Sequence, residues 1–269
     1  MERQFELDWM GGGAAALLRR RRPGVDELPW GTLDRAQFKP EALAEARKVW
    51  TNGAFTEYAS AAAFTAMAGA LFECGAPIDL SAAAADFAVD ELGHTELAAR
   101  LLAELGGAVP YLVDLEMMAP RSSAPSALER AGELVIKVSS VGEALSVPIL
   151  AASLEGADHA LTRAVLDRLL HDEGPHARMS DWFFEWAGED LDDGARARLA
   201  EVALEAVEVY APLWRKADCG TCVLVPAFGG LPSETYRNTM IESVRMKIVR
   251  PLARHGITLA GERLEGMLA

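Results

Sequence analysis

Stretches with apolar residues three and four positions apart alternate with short clusters of glycine and proline, the pattern of helices separated by loops. Pro40 suits a first helical position, and the periodicity that follows it runs to Gly75-Ala76-Pro77. A second helix is expected from Ser81 as N-cap to Gly106-Gly107 as stop. The connection beyond carries Pro110, Pro120 and Pro125, and it is long enough to cross between two antiparallel helix pairs. A third helix spans Ser126 to about Gly156, with a kink expected at Pro148. A fourth runs from near Asp158 to Gly188 and contains Gly174-Pro175. A proline inside a helix costs about 3 kcal/mol, so a bulge or kink is expected there. Two more helices, roughly 193–217 and 233–254, flank a loop with Cys219, Cys222, Pro226, Gly229, Gly230 and Pro232. A short helix beyond Ile257 completes an all-α chain. Residues 1–38 lack periodicity and read as an arm over the body, in which Arg19 to Arg22 form a solvated surface run. Residues 39–269 read as a single helical domain: a bundle over about 40–188 and accessory helices over about 193–269.

Composition narrows the classes. Alanine-rich helices and 51% hydrophobic residues allow a sizeable core and exclude a disordered chain. A net charge of −14 excludes a general nucleic-acid binder, which needs a basic surface. Part of that charge is accounted for if some carboxylates bind cations. The arginines follow the mildly apolar stretch Trp9–Leu18, the reverse of an export signal. The most apolar run, Ala59–Phe72, is too short to span a bilayer. Three cysteines do not make a disulfide framework, so a reducing cytoplasm is expected.

The chemistry lies in two similar strings, Asp90-Glu91-Leu92-Gly93-His94 and Asp172-Glu173-Gly174-Pro175-His176. In each, a glutamate and a histidine three residues apart share one helix face. Each string has a glutamate on the preceding helix: Glu57 lies 34 residues before Glu91, and Glu143 lies 30 before Glu173. Glu57 shares a stripe with Trp50, Ala54, Ala61, Phe64, Ala68 and Leu71. Glu91 and His94 share one with Ala84, Phe87, Ala98, Leu101 and Leu105. Glu143 joins Val135, Ile136, Val147, Leu150 and Leu154, and Glu173 joins Leu166, Leu169, Met179 and Phe184. All four glutamates therefore face the core. Isolated buried carboxylates are very costly, whereas two divalent cations balance four of them and the imidazoles complete the coordination. One Glu-x-x-His string alone reads as a chance surface pair. Two strings with upstream partners on core-facing stripes read as a two-metal site made of Glu57, Glu91, His94, Glu143, Glu173 and His176.

This arrangement over residues 40–188 resembles the ferritin-like di-iron carboxylate superfamily, whose signature is Glu, Glu-x-x-His, Glu, Glu-x-x-His on four helices. The resemblance implies a ferritin-like four-helix bundle extended by C-terminal helices. It implies that Glu91 or Glu173 bridges the metals while Glu57, His94, Glu143 and His176 are more terminal. Asp90 and Asp172 resemble the aspartates that hold ligand imidazoles in such proteins; the plain alternative is helix-surface solvation. Iron suits the mixed donors, and manganese fits them too. A zinc protease is excluded, because His171 to His176 lacks the His-Glu-x-x-His spacing. Leu169 stands where related N-oxygenases add a histidine, which weighs against that subfamily.

The resemblance further implies a non-haem di-iron oxidoreductase that uses O2 as co-substrate, an external electron donor and a small organic substrate, and works as a homodimer. Two extra helices and small residues near the ligands (Gly53, Ala54, Ala61, Ser139, Ser140, Ser146) leave room for a substrate pocket and favour an oxidase or oxygenase. The alternatives are a ferritin-type ferroxidase or store, and a peroxide-removing enzyme of rubrerythrin or manganese-catalase type. Rubrerythrin normally carries a four-cysteine module, and Cys219-Gly220-Thr221-Cys222 supplies only half of one. Nothing nearby completes a site for that pair, so two loop cysteines without function is the simpler reading. Tyr58 faces another side of its helix, Cys74 reads as structural, and His159 and His255 fall at helix ends.

Overall fold

The computed structural model describes residues 2–215 and 226–269. Cys219 and Cys222 lie outside the described residues. Eight helices occur among those described: α1 (Gly12–Arg21), α2 (Pro40–Glu73), α3 (Ile78–Leu105), α4 (Ala127–Gly156), α5 (Ala160–Ala187), α6 (Asp193–Arg215), α7 and α8 (Glu262–Leu268). Helix α7 is continuous through Ser233–Ser243, a π-helical stretch Val244–Val249, and Arg250–Arg254. A two-residue ribbon, β1 (Arg3–Gln4) antiparallel to β2 (Leu112–Val113), ties the N-terminus to the crossover between α3 and α4.

Local chemistry sets the helix ends. At the end of α3, Gly106 takes φ +105°, and the Gly107 N–H donates to the Leu102 carbonyl at 2.7 Å, as a glycine stop requires. At the start of α4, the Ser126 hydroxyl accepts from the Glu129 N–H at 3.1 Å, the expected cap. Helix α3 begins a turn earlier than expected. Pro77 occupies its N-cap, and the Ser81 N–H already closes a helical turn on the Pro77 carbonyl at 3.0 Å.

Helix α5 runs unbroken through Pro175, contrary to the bulge expected beside Glu173. Gly174, Pro175 and His171, whose carbonyl loses its helical partner, all lie on the exposed side, where an unpaired carbonyl costs little. The irregularity sits across the bundle in α4, which is π-helical over Ile136–Glu143. There the Ser140 hydroxyl donates to the carbonyl of Val135, five residues back, at 3.5 Å. Such wide turns are frequent at functional sites, and this one ends on Glu143. Pro148 lies in the regular stretch Ala144–Gly156 that follows.

The apolar side chains form two clusters rather than one. The first holds Phe64, Met67 and Leu71 of α2, Phe87 of α3, Val135 and Val141 of α4, Met179 and Phe183 of α5, and the inner faces of α6 to α8. The second holds Trp50 and Ala54 of α2, Leu97, Leu101 and Leu105 of α3, Leu161, Val165 and Leu169 of α5, and Val25 and Leu33 of the arm. On α2, α3 and α5 the stretch between the clusters carries Glu57, Glu91 with His94, and Glu173 with His176. The charged residues thus occupy a polar layer between two cores, which bury it without filling it. Leu101 is fully buried in the second cluster, one to two turns from His94. Leu101→Ala is expected to cost about 2–5 kcal/mol in a denaturant titration while leaving the metal stoichiometry unchanged.

Helix α4 is long and apolar enough to cross a membrane by composition, yet 56% of its most apolar 18-residue window is buried inside the protein. The stretch 1–38, read from the sequence as an arm, includes α1, and its arginine run is only partly solvated: Arg20 and Arg21 are exposed, whereas Arg19 and Arg22 are not. Arg22 is only 8% exposed, and Arg19 pairs with Glu96 of α3 at 2.5 Å.

Candidate metal centre

Four helices deliver the polar layer. Glu57 comes from α2, Glu91 and His94 from adjacent turns of α3, Glu143 from the end of the π stretch of α4, and Glu173 and His176 from α5. Glu91, His94, Glu173 and His176 are at most 1% exposed and Glu143 is 4% exposed, whereas Glu57 is half-buried. All six predicted residues meet in one place. Two overlapping sets form, each with donor atoms within 4.8 Å of one another: Glu57, Glu91, His94 and Glu173; and Glu91, Glu143, Glu173 and His176. Glu91 and Glu173 belong to both.

The imidazoles turn their Nδ1 atoms inward. His94 Nδ1 lies 3.1 Å from Glu173, 3.5 Å from Glu91 and 3.9 Å from Glu57. His176 Nδ1 lies 2.8 Å from Glu173 and 3.0 Å from Glu91. Their Nε2 atoms face outward, His176 toward Asp90 at 3.4 Å and His94 toward Asp172 at 3.5 Å. Each aspartate therefore serves the histidine of the other helix. Phe87 and Phe64 pack on the His176 ring at centroid distances of 4.4 and 5.2 Å and fix its plane.

Without metal the layer is electrostatically costly. Burial, with the neighbouring Glu91 charge, pushes the Glu57 carboxyl well above its ordinary range. Burial and the Glu173 charge do the same to Glu143. Burial opposes charging of His176, but Asp90, Glu173 and Glu91 outweigh it and push its imidazole up to about 12. His94 is raised against its own burial by Asp172, Glu173 and Glu91. Burial of Glu173 is outweighed by the two imidazoles, which hold its carboxyl low.

The donor set fits two metal ions. Both Glu91 oxygens, Glu173 Oε2, and the Nδ1 atoms of His94 and His176 are buried without a hydrogen-bond partner of good geometry, and they converge on a common space. Native proteins rarely leave such atoms unmatched, and carboxylate oxygens with imidazole nitrogens are the donors that iron and manganese take.

Two cavities reach this layer. A large one of about 810 Å³ runs between α2, α4, α6, α7 and the crossover loop, with Glu57 and Glu143 in its lining. Thr56, Ala59, Ser60 and Ala63 line it along one stripe of α2, and Val209, Tyr210 and Leu213 line it from α6. Gly53, Ala54 and Ala61, expected to make room, do not line it; Ser146 does. Burial and the Glu143 charge push the Tyr210 phenol up. A smaller cavity of about 260 Å³ lies behind Glu143 beside Ser139, Ser140 and Ser180. These serines bind backbone and one another: Ser139 Oγ donates to the His176 carbonyl at 2.8 Å, and Ser140 and Ser180 hydroxyls meet at 2.5 Å.

His171 is exposed, as its position two residues before Glu173 implies, and Tyr58 packs against Phe5 of the arm. Sequence reading missed Arg22, Arg168 and Tyr210, none of which falls within a recognisable motif.

The helix order and packing define a ferritin-like helical bundle. Among solved structures, a protein from Synechococcus with aldehyde deformylating oxidase activity has this fold, with a TM-score of 0.55 over 82% of this chain and 100% of that one, at 16% sequence identity. No protein-family model and no curated protein matches the chain.

Proposed function

We propose that the protein is a non-haem di-iron oxidase or oxygenase that uses O2 to oxidise a small, largely apolar organic molecule. The carrying observation is the 810 Å³ cavity, whose lining includes two carboxylates of the polar layer, Glu57 and Glu143. A bare metal store needs no such chamber beside its ligands, whereas a substrate oxidised at the metals does. The aldehyde deformylating oxidase activity of the Synechococcus protein supports the same reaction class and makes aldehydes the first compounds to try.

In this reading Glu57, Glu91, His94 and Glu173 hold one ion, and Glu91, Glu143, Glu173 and His176 hold the other. When bound, two iron ions supply O2 reduction and substrate oxidation, with electrons from an external donor. The chain's own residues do the positioning. The apolar lining from α6 and α7 excludes water and holds the substrate, and Asp90 and Asp172 orient the imidazoles. The protein works in the cytoplasm as a homodimer, and manganese is the alternative metal.

The test is iron analysis after ferrous reconstitution, followed by O2 consumption with and without candidate aldehydes, alcohols and hydrocarbons. About two irons per chain and substrate-dependent product formation are expected. Fewer than about one iron per chain, or a large mineral-filled cage on size-exclusion chromatography, overturns the reading. Ser146→Phe, which places a ring in the cavity, is expected to raise the substrate KM at least about tenfold while iron content stays at the wild-type value.

A further inference from the structure

The two aspartates behind the imidazoles are themselves held, and the N-terminal arm takes part on both sides. Arg22 makes an ion pair through its Nε with Asp90, whose Oδ2 faces His176 Nε2 at 3.4 Å. Its Nη2 donates to the Asp86 carbonyl at 2.7 Å and lies 3.3 Å from the Asp86 carboxylate. On the other side, Arg168 Nε donates to Asp172 Oδ2 at 2.6 Å, and Asp172 faces His94 Nε2 at 3.5 Å. The Arg168 guanidinium is fixed in turn by the carbonyl of Pro23, which accepts from Nη1 at 2.8 Å.

Two glycines border these contacts, and Gly24 suits its place by its backbone conformation. A Cβ at Gly93, between Glu91 and His94, would lie 3.4 Å from Arg22 Cγ. Gly24 has φ +87°, and a Cβ there would lie 3.3 Å from Arg168 Nη1. The arm is also anchored independently of these contacts, by buried Val25 and by the pairs of Arg19 with Glu96 and Arg100 with Asp26.

We infer that the arm is a working part of the metal centre: Arg22, acting through Asp90, and Arg168 with the Pro23 carbonyl, acting through Asp172, are positioning residues for His176 and His94. An aspartate pinned by a guanidinium keeps an oxygen in place beside Nε2, 3.4 Å away at His176 and 3.5 Å away at His94. That fixes the tautomer and leaves the Nδ1 lone pair aimed at the metal. Each guanidinium reaches its aspartate through Nε and a separate acceptor through an Nη, a two-point hold that a lysine ammonium does not reproduce. The same bridges, if they served only to dock the arm, would be interchangeable with the Arg19 pair.

The inference rests on the two-metal reading, and one experiment separates their failures. Metal-free protein is titrated with cobalt(II), followed by its visible absorption bands, with a chelator in competition. Wild type is expected to bind two equivalents. Arg22→Gln is expected to weaken one of them about 10- to 100-fold and to alter its bands, leaving the other within about threefold. Arg168→Gln weakens one equivalent likewise, and Arg22→Lys recovers part of the loss. Arg19→Gln, which loosens the arm without touching either aspartate, leaves both equivalents at wild-type affinity. Combining Arg22→Gln with His176→Ala adds little to the single histidine loss, whereas combining it with His94→Ala weakens both equivalents. If Arg22→Gln does not fold, Asp90→Asn reads the same link from inside the bundle. Two wild-type equivalents in folded Arg22→Gln, or equal loss in Arg19→Gln, overturn the inference. Fewer than two equivalents in wild type defeat the metal reading and the inference with it.

Discussion

Glu173→Ala is expected to strip the protein of both metal ions and to lower substrate oxidation on the order of 10³-fold or more. Glu173 belongs to both donor sets and approaches both inward imidazole nitrogens, at 2.8 and 3.1 Å. Glu91 has the same double membership, so Glu91→Ala is expected to behave alike. Glu57 belongs to one set only and is half-buried on the cavity side. Glu57→Ala should therefore keep one ion per chain and lose the other. Iron analysis on folded, reconstituted variants reads the difference directly. A Glu173→Ala protein that retains two irons would falsify its place between the metals. The variants differ in their effect on the fold: Glu57→Ala relieves repulsion with Glu91, whereas Glu173→Ala removes the buried partner of both imidazoles. Loss of metal is therefore read only on variants whose circular dichroism and Tm show a folded chain.

The six clustered residues were legible because the cause of their clustering is local and periodic. Glu-x-x-His at helical spacing puts both side chains on one face, and the neighbours on that face of α2, α3 and α5, such as Phe64, Leu101 and Leu169, are buried as expected. The stripe on α4 held less well. Val147, Leu150 and Leu154 are only half-buried: Val147 and Leu150 line the two cavities, and Leu150 and Leu154 pack at the edge of the second cluster. The π stretch over Ile136–Glu143 was not legible, since its residues satisfy a helical pattern and only the backbone bonding differs. Helix α1 was hidden for a different reason. It opens on two glycines and buries no residue, so nothing periodic marks it; it is held by ion pairs from Arg19 and by Arg22 just beyond its end. Contacts between residues some seventy positions apart leave no trace in local spacing. The room beside the metals was expected at the right helix but on the wrong stripe. Thr56, Ala59, Ser60 and Ala63 follow the i, i+3, i+4, i+7 rule one face round from Ala54 and Ala61.

Metal uptake is expected to release protons and to strengthen steeply as pH rises. Metal-free, the layer favours bound protons at Glu57 and Glu143, whose carboxyls are raised chiefly by burial, and at His94 and His176, whose imidazoles are raised by the surrounding carboxylates. Divalent ions need deprotonated carboxylates and free Nδ1 atoms, so each of these four groups gives up a proton as two ions enter. The stability of the metal-free fold moves the opposite way. A raised carboxyl binds more proton in the folded than in the unfolded chain above about pH 4.5, and a raised imidazole does so above about pH 6.5. Both lower stability as pH rises, and for His176 the loss continues until its folded value near 12. Glu173, held low, acts in the other direction only at acid pH. Between about pH 5 and 8 the metal-free protein should therefore lose Tm while the loaded protein does not, so the stabilisation by metal widens with pH. Calorimetric titration with manganese(II) in two buffers of different ionisation enthalpy is expected to show about two to four protons released per pair of ions. Release of less than about one proton, or a Tm gap that narrows as pH rises, would mean that the buried carboxylates are already ionised and paired within the chain, leaving no electrostatic demand for the ions.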